Sequence, residues 1–412
     1  MIRRYLGIIR VAALLVSASC GIAFLLGSGE MAVHSGMVGS LYAIVTAFGM
    51  FALALIARKL WHVGEPIWEI LGNSYGPAVR KAVALLSLVW MSGVLAAQIH
   101  GSVAVLSTSG LTTWSSVLVT TVALLAISSV DLGVAALLFT VGLLASNLIL
   151  LHALVTSGGL PVYLHAWPSF LREVKSAPPV ETLATVIAVG FLVVTGSDYQ
   201  QFVIAARRPM DARLGCVLAG VFLIAAGFLP AATVVAALHS GQLSGLTDYA
   251  SAIPWIMLHT SGPAGPICLG IIVLAALGSG TAITRAMSSA LTDLQHFSRR
   301  HELTSKCLIV ATCSVIAIDG QSIVSTIVSL NIIYISAVGV LFVLDQTGHP
   351  AAPRCAFAMM VSGGISSLFI AIVSWVHLAD LPDWMSLTAG LIASVAPLLA
   401  WHMISTLRGV RS

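Results

Sequence analysis

Three ionisable side chains stand in otherwise apolar surroundings. Asp198 belongs to Val194-Thr195-Gly196-Ser197-Asp198-Tyr199-Gln200-Gln201, Arg285 lies within the run from 265 to 292, and Glu30 follows Gly27-Ser28-Gly29. A charge at the centre of a bilayer costs about 2.5–3.5 kcal/mol on insertion scales, so each is a site hypothesis. Near them are groups suited to a small polar solute or a hard cation. These are the hydroxyls of Ser17, Ser197, Ser279 and Thr281, the Gln98 amide, the Tyr199 phenol and the glycines Gly21 and Gly196. An interrupted helix frees backbone carbonyls and N–H groups, which a membrane tolerates only where they line a cavity. Arg285 stands four residues beyond Thr281, on the same helix face. It is expected near Asp198, where an ion pair can form; the alternative is a guanidinium that snorkels to the interface. No nucleophile–base set, phosphate-binding loop or metal-ligand cluster accompanies these residues. They point away from an enzyme and toward no cofactor. Cys20, Cys216, Cys268, Cys307, Cys313 and Cys355 follow no metal-ligand spacing and read as small packing residues.

The elements that position such groups are membrane helices. Of 412 residues, 58% are hydrophobic and 8% charged, with a mean hydropathy of +1.02. A soluble domain carries about 25% charged residues, so 19 Lys+Arg and 15 Asp+Glu cannot keep a globule of this size wet. A soluble enzyme, a secreted disulfide scaffold and a nucleic-acid binder are excluded. Windows near 20 residues, enough for about 30 Å of hydrocarbon, predict twelve spans. They lie at roughly 6–27, 37–57, 82–107, 112–129, 133–155, 183–205, 214–238, 265–292, 305–318, 321–344, 355–377 and 385–407.

Loop charges orient them. With the N-terminus inside, the inner loops carry Arg3, Arg4, Arg10, Arg58, Lys59, Arg80, Lys81, Arg207, Arg208, Arg213, Arg299, Arg300, Lys306, Arg354, Arg408 and Arg411, the outer loops only Arg172 and Lys175. Positive charge stays on the cytoplasmic side, which predicts a multi-pass protein of the cytoplasmic membrane with both termini cytoplasmic. The pI of about 8.8 reflects these loops. Met1-Ile2-Arg3-Arg4 and the apolar run to Cys20 imitate a secretory signal. Ser17 stands where a lipobox wants a large aliphatic residue, however, and cleavage would upset the loop parity. Trp61, Trp114, Trp167, Trp375, Trp384 and Trp401 fall near span ends and read as an aromatic belt.

The first and sixth spans are interrupted by small and polar residues, Ser17-Ala18-Ser19-Cys20-Gly21 with Gly27-Ser28-Gly29-Glu30 in one and Gly196-Ser197-Asp198 in the other. Paired interruptions five spans apart are the sequence mark of an inverted-repeat transporter. The alternative is close helix packing by small residues. Four stretches resemble the sodium:solute symporter family. They are the interrupted first span; Leu95-Ala96-Ala97-Gln98-Ile99 with the preceding Asn73-Ser74-Tyr75-Gly76; Gly196-Ser197-Asp198 and Gln201 followed by Ala205-Ala206-Arg207-Arg208-Pro209; and Ala275-Ala276-Leu277-Gly278-Ser279 with Asp293. The sequence departs from that family at Gln201-Phe202, at Ser129-Val130-Asp131, in lacking a leading helix, and at Gly280, where a second hydroxyl is usual and Thr281 follows instead.

The resemblance implies an all-α, LeuT-like bundle of five plus five inverted helices (6–156 and 183–344) with two additional helices (355–407). It implies a symporter moving a small organic solute by alternating access, coupled to Na+ or H+. The solute would meet Ser17, Gly21, Gln98, Gly196, Ser197, Asp198 and Tyr199. Sodium would lie among Leu14, Ser17, Ala276 and Ser279, with Thr281 and Arg285 in the coupling region. A guanidinium there can replace the ion's charge and free transport from sodium. The partners are then the solute and the lipid bilayer, with no nucleic acid. The rival is a membrane sensor that keeps the fold and binds its ligand without coupled transport. Its weakness is that no loop is long enough for a signalling domain.

Overall fold

The computed structural model describes residues 4–130, 132–246, 248–295, 302–318, 323–376, 378–379 and 381–407. Arg3, Asp131, Arg299, Arg300, Arg408 and Arg411 of the sequence reading lie outside the described residues. Every regular element among those described is helical. The helices are α1 (Ile8–Ser19), α2 (Ile22–Ser35), α3 (Leu41–Val63), α4 (Ile67–Tyr75), α5 (Pro77–Thr108), α6 (Thr113–Ser128), α7 (Leu132–Thr156), α8 (Leu160–Leu164), α9 (Ala166–Ser176) and α10 (Pro179–Thr195). Then come α11 (Ser197–Ile204), α12 (Pro209–Gly227), α13 (Leu229–His239), α14 (Ala252–Thr260), α15 (Gly265–Gln295), α16 (Glu302–Ile318), α17 (Ile323–Gln346), α18 (Pro353–Trp375) and α19 (Asp383–Leu407).

These helices fill the twelve expected windows. The first window holds α1 and α2, the sixth α10 and α11, and the seventh α12 and α13, which meet at Phe228 just before Pro230. Among the described residues, eight stretches are long and apolar enough to cross a membrane by composition and length alone. The short α4, α8, α9 and α14 connect spans. Among them α9 is strongly amphipathic, burying Ala166 and Phe170.

The contacts repeat with a swap of halves. The pairing of α1 with α12 is answered by α10 and α11 against α3, and that of α7 with α15 by α17 against α5. The pairs α3 with α12 and α5 with α15 join corresponding members directly. α18 and α19 pack on each other and on α17. Small residues allow this closeness: a Cβ on Gly220 would sit 2.6 Å from the Phe51 ring, and one on Gly390 would strike the Ser336 side chain. In a bilayer, where lipid tails are as apolar as leucine, such contact replaces the hydrophobic drive between helices.

Two expectations about the first span are corrected. Gly27-Ser28-Gly29-Glu30 does not interrupt a helix; it lies inside α2, where Gly29 is needed for close packing because a Cβ there would meet Ile253 at 2.8 Å. Glu30, past the 6–27 window, is therefore still a helical residue, and His34 belongs to the last turn of α2, edge-on to Tyr249 at 4.7 Å.

Candidate functional site

The first helix break is a single extended residue. α1 closes at Cys20, whose N–H donates to Val16 O at 2.6 Å, and Gly21 (φ −68°, ψ −179°) carries the chain into α2. Serines weaken a helix by bonding their own backbone, as Ser19 does to Leu15 O at 2.8 Å. Gly21 is required by its neighbour. A Cβ there would lie 2.7 Å from Gln98 Nε2 and still nearer Oε1. The Gln98 amide of α5 thus occupies the place of the missing side chain. Gly101, one turn on, gives room to Ile22 in the same way.

The second break is at Gly196 (φ −67°, ψ 121°), between α10 and α11. A Cβ there would stand 2.6 Å from both Asp198 Oδ1 and Leu192 O, so the Asp198 carboxylate folds back over the break. It sits in the first turn of α11, where the helix dipole favours negative charge. It is 2% exposed, and its Oδ1 has no hydrogen-bond partner. The freed carbonyls are held from the side: Gln200 Nε2 donates to Val194 O at 3.0 Å and Tyr334 OH to Thr195 O at 3.4 Å, while Asn331 Nδ2 donates to Ala188 O, two turns earlier in α10, at 2.7 Å. Ser197 Oγ faces Met91 Sδ at 3.5 Å. Tyr199 is 4% exposed, with its hydroxyl in reach of the Ser19 side chain and close to Tyr42. The two breaks therefore meet across Tyr199 and Ser19. Tyr42 carries no sequence signal, since it is one aromatic in an apolar run.

The third component is α15, an uninterrupted helix. Ser279 Oγ donates to Ala18 O at 2.8 Å, tying α15 to the last turn of α1. Thr281 Oγ1 donates to Gly278 O at 3.0 Å within its own helix. Gly278, Thr281, Ala282 and Arg285 form one face, which with Leu14, Ser17 and Phe202 lines a void of about 10 Å³, the room of one water molecule. Thr281 reaches this void from a regular helix, without local irregularity. Gly280 points elsewhere: a Cβ on it would meet Leu124 at 2.6 Å. Gln201 Nε2 spans from Asp198 O at 2.9 Å to Ala282 O at 3.2 Å, so α11 is pinned to the same face. The side chain of Ala276 lies outside the described residues.

The expected pairing of Asp198 with Arg285 is not formed. Arg285 Nη2 donates to Val130 O at 2.5 Å and Ile127 O at 3.4 Å, at the C-terminal end of α6. Lys306, 6% exposed, joins it there by donating to Ser128 O at 3.1 Å while pairing with Glu302 at 2.7 Å. Carbonyls left over at a helix end attract cations; this attraction and the reach of the side chain take the guanidinium away from α11. Trp90 is buried against Tyr334, 5.8 Å between rings, and His100 holds Ala317 O at 3.0 Å.

One end of the bundle is clasped. Before α1, the N–H groups of Tyr5 and Leu6 donate to Ala205 O at 3.0 and 3.1 Å, and Arg207 N–H donates to Leu6 O at 2.8 Å. Arg4 lies 3.9 Å from the centre of the Trp61 ring and donates to Trp61 O at 2.7 Å. Trp61 Nε1 donates to Ala206 O at 2.8 Å. The ends of α1, α3 and α11 on this side of the bundle are joined by this set. Toward the other end a recess of about 500 Å³ opens beside His34, Glu173 and Glu181.

No protein-family profile and no curated protein matches the sequence. Solved structures do match. A Na+-coupled sialic acid symporter in a substrate-bound outward-open state superposes with a TM-score of 0.75 at 11% identity, over 96% of this chain and 89% of that one. Mhp1, a nucleobase-cation-symport-1 family transporter, closed with bromovinylhydantoin bound, gives 0.57 at 12%, over 100% and 96%. The inward-facing conformation of Mhp1 gives 0.55 at 13%, over 98% and 92%. The chain has the LeuT-like fold of a multi-pass, all-α membrane protein.

Proposed function

We propose that this chain is a secondary active transporter, a symporter that carries a small organic solute across the cytoplasmic membrane by alternating access in company with Na+ or H+. The observation that carries this reading is the meeting of two helix breaks beneath Gln98. Backbone groups freed at Gly21 and Gly196 lie buried beside a carboxylate whose Oδ1 has no partner. Unwound backbone at membrane depth is tolerated where it serves a cavity, and half-helix ends bind ions and polar solutes. The structural neighbours named above are transporters of sialic acid and of a hydantoin-binding kind by their own descriptions, and this reading extends their class of activity to the present chain. The 6–156 and 183–344 halves would supply the two rocking units, with 355–407 outside them.

In this reading Ser17, Gly21, Gln98, Gly196, Ser197, Asp198 and Tyr199 contact the solute. Gln98 offers both donor and acceptor, Asp198 receives a positive or N–H-bearing group, and Tyr199 covers an apolar face. Because Arg285 is turned to α6, no cation among these residues would balance a solute carboxylate.

The test has two steps. Purified protein is screened for thermal stabilisation by a panel of small solutes, since a ligand that binds only the folded state raises apparent stability. Solutes that stabilise are then used in counterflow with proteoliposomes. Saturable exchange is expected. Stabilisation without any exchange would replace this reading by the sensor.

A further inference from the structure

The carboxylate at the second helix break has no cation to balance it. Asp198 is 2% exposed, and its Oδ1 accepts no hydrogen bond. The ion pairs among the described residues, Arg80 with Glu69 and Lys306 with Glu302, leave it out. The titratable side chains within electrostatic reach of it are phenols from three helices, Tyr42 of α3, Tyr199 of α11 and Tyr334 of α17. Phenols are neutral near pH 7. Gln200 Oε1, at the same break, is a second buried acceptor without a donor, since its amide nitrogen is committed to Val194 O. A buried carboxylate must be paired with a cation or neutralised by a proton. Unmatched acceptors are met by a ligand rich in N–H donors, as an ammonium group is. A second carboxylate brought within about 6 Å would be disfavoured roughly 100-fold at an effective dielectric near 20.

The far ends of the two helices that lead to the breaks carry the same sign. The recess of about 500 Å³ is lined by Met31 and His34 of α2, which starts after Gly21, and by Glu181 and Thr185 of α10, which ends at Gly196. Glu173 of α9 joins this wall, with its Oε2 accepting the Met37 N–H at 2.5 Å. Arg172 and Lys175 of the same helix do not line it. Asp383, at the start of α19, stands within electrostatic reach of Glu181. Carboxylates around an open mouth concentrate cations and repel anions. We infer that the solute is an organic cation, an amine that carries no carboxylate and sets its ammonium group on Asp198 among Tyr42, Tyr199 and Tyr334. This rests on the transporter reading and names the chemical class of its solute. Aromatic rings attract a cation brought to their faces, so the tyrosines can add to the pull of the carboxylate.

The test uses probes matched in shape and different in charge. Melting of the purified full chain is followed at pH 7 and equal ionic strength with methylamine, tetramethylammonium and phenethylamine, with the neutral 2-phenylethanol, and with the anion 3-phenylpropionate. At least one of the cations should stabilise the wild type in a saturable manner, and neither the alcohol nor the carboxylate should. Asp198→Asn should raise the half-saturating concentration of that cation about tenfold, as loss of a hydrogen bond to a charged group does. Glu181→Gln, at the approach rather than the seat, should raise it less than about threefold. Stabilisation by the carboxylate overturns the inference, and so does failure of every cation to stabilise. Equal stabilisation by the alcohol also overturns it, because a protonated Asp198 would then be receiving a neutral solute. A folded Asp198→Asn protein with wild-type affinity for the cation has the same force; if that variant does not fold, the wild-type comparison still decides. Cation binding without any counterflow would count against the transporter reading and leave the charge preference standing, whereas counterflow of carboxylates alone would do the reverse.

Discussion

A methyl group at Gly21 would stand 2.7 Å from the Gln98 amide nitrogen, so the two residues constrain each other. Gly21→Ala should lower stability by about 1–3 kcal/mol, the usual effect of overpacking. Gln98→Ala in the same chain should return most of it, because the smaller side chain vacates the slot. A double-mutant cycle by thermal melting checks this; additive losses would mean that the pair does not share that space. Asp198 makes a different prediction. Asn keeps its shape and removes its charge, and burying a neutral group is easier than burying an ion. Asp198→Asn should therefore melt no lower than wild type, while counterflow of any solute found by stabilisation falls about tenfold, equivalent to roughly 1.4 kcal/mol. Undiminished exchange would remove the carboxylate from the site. Both residues were legible in the sequence, Gly21 by its place in a cluster of small residues and Asp198 as a charge among apolar neighbours. The partner of Arg285 was not: spacing gives the face of a helix, but not which neighbouring helix ends within reach of a long side chain.

The α6 terminus shows how an element is finished by residues remote in sequence. Its last carbonyls are taken by Arg285 from α15 and Lys306 from α16. Lys306→Met keeps the apolar stem but leaves Ser128 O without its donor and Glu302 without its pair. An unsatisfied buried polar group costs about 1–3 kcal/mol, so the variant should melt lower, with a loss of that order. Arg at 306 should be milder, since it can still donate. Helix existence was the easiest element property to read, because apolar runs of membrane length have one stable backbone solution. Breaks were harder. Gly196 and Gly27-Ser28-Gly29 look alike in sequence, yet the first ends a helix and the second lies within one. The difference lies in the partners. Around Gly196 the carboxylate of Asp198 fills the space over the break and the amide of Gln200 takes over the freed Val194 O, whereas Gly29 meets only the apolar side chains of Ile253 and Val234.

At the scale of the whole molecule, the basic loop residues near the N-terminus and the clasp fall at one end. The clasped end carries Arg4, Arg58, Lys59, Arg207 and Arg208, the bias expected of a cytoplasmic face. Reporter fusions at Asp248 and Asp383 should read outside, and a fusion at Arg354 inside; Arg300, beyond the described residues, should agree with Arg354. Reversal at either side would sink the orientation. The clasp itself left no mark in the sequence. Two residues pairing with three others about 200 positions away produce no periodicity, and Trp61 reads as one more aromatic at a span end. Its amides nonetheless supply a clock. The N–H groups of Leu6 and Arg207 are sheltered only while these two segments stay paired, and water reaches them each time the end opens. Deuterium uptake by peptides covering 4–10 and 203–209 should then count visits to the open form, slowed by whatever holds the end shut and hastened by Trp61→Ala. Equal, fast uptake in wild type and variant would mean that the pairing gives no protection. The opening rate of one face of the protein becomes measurable with no solute, no ion and no membrane potential.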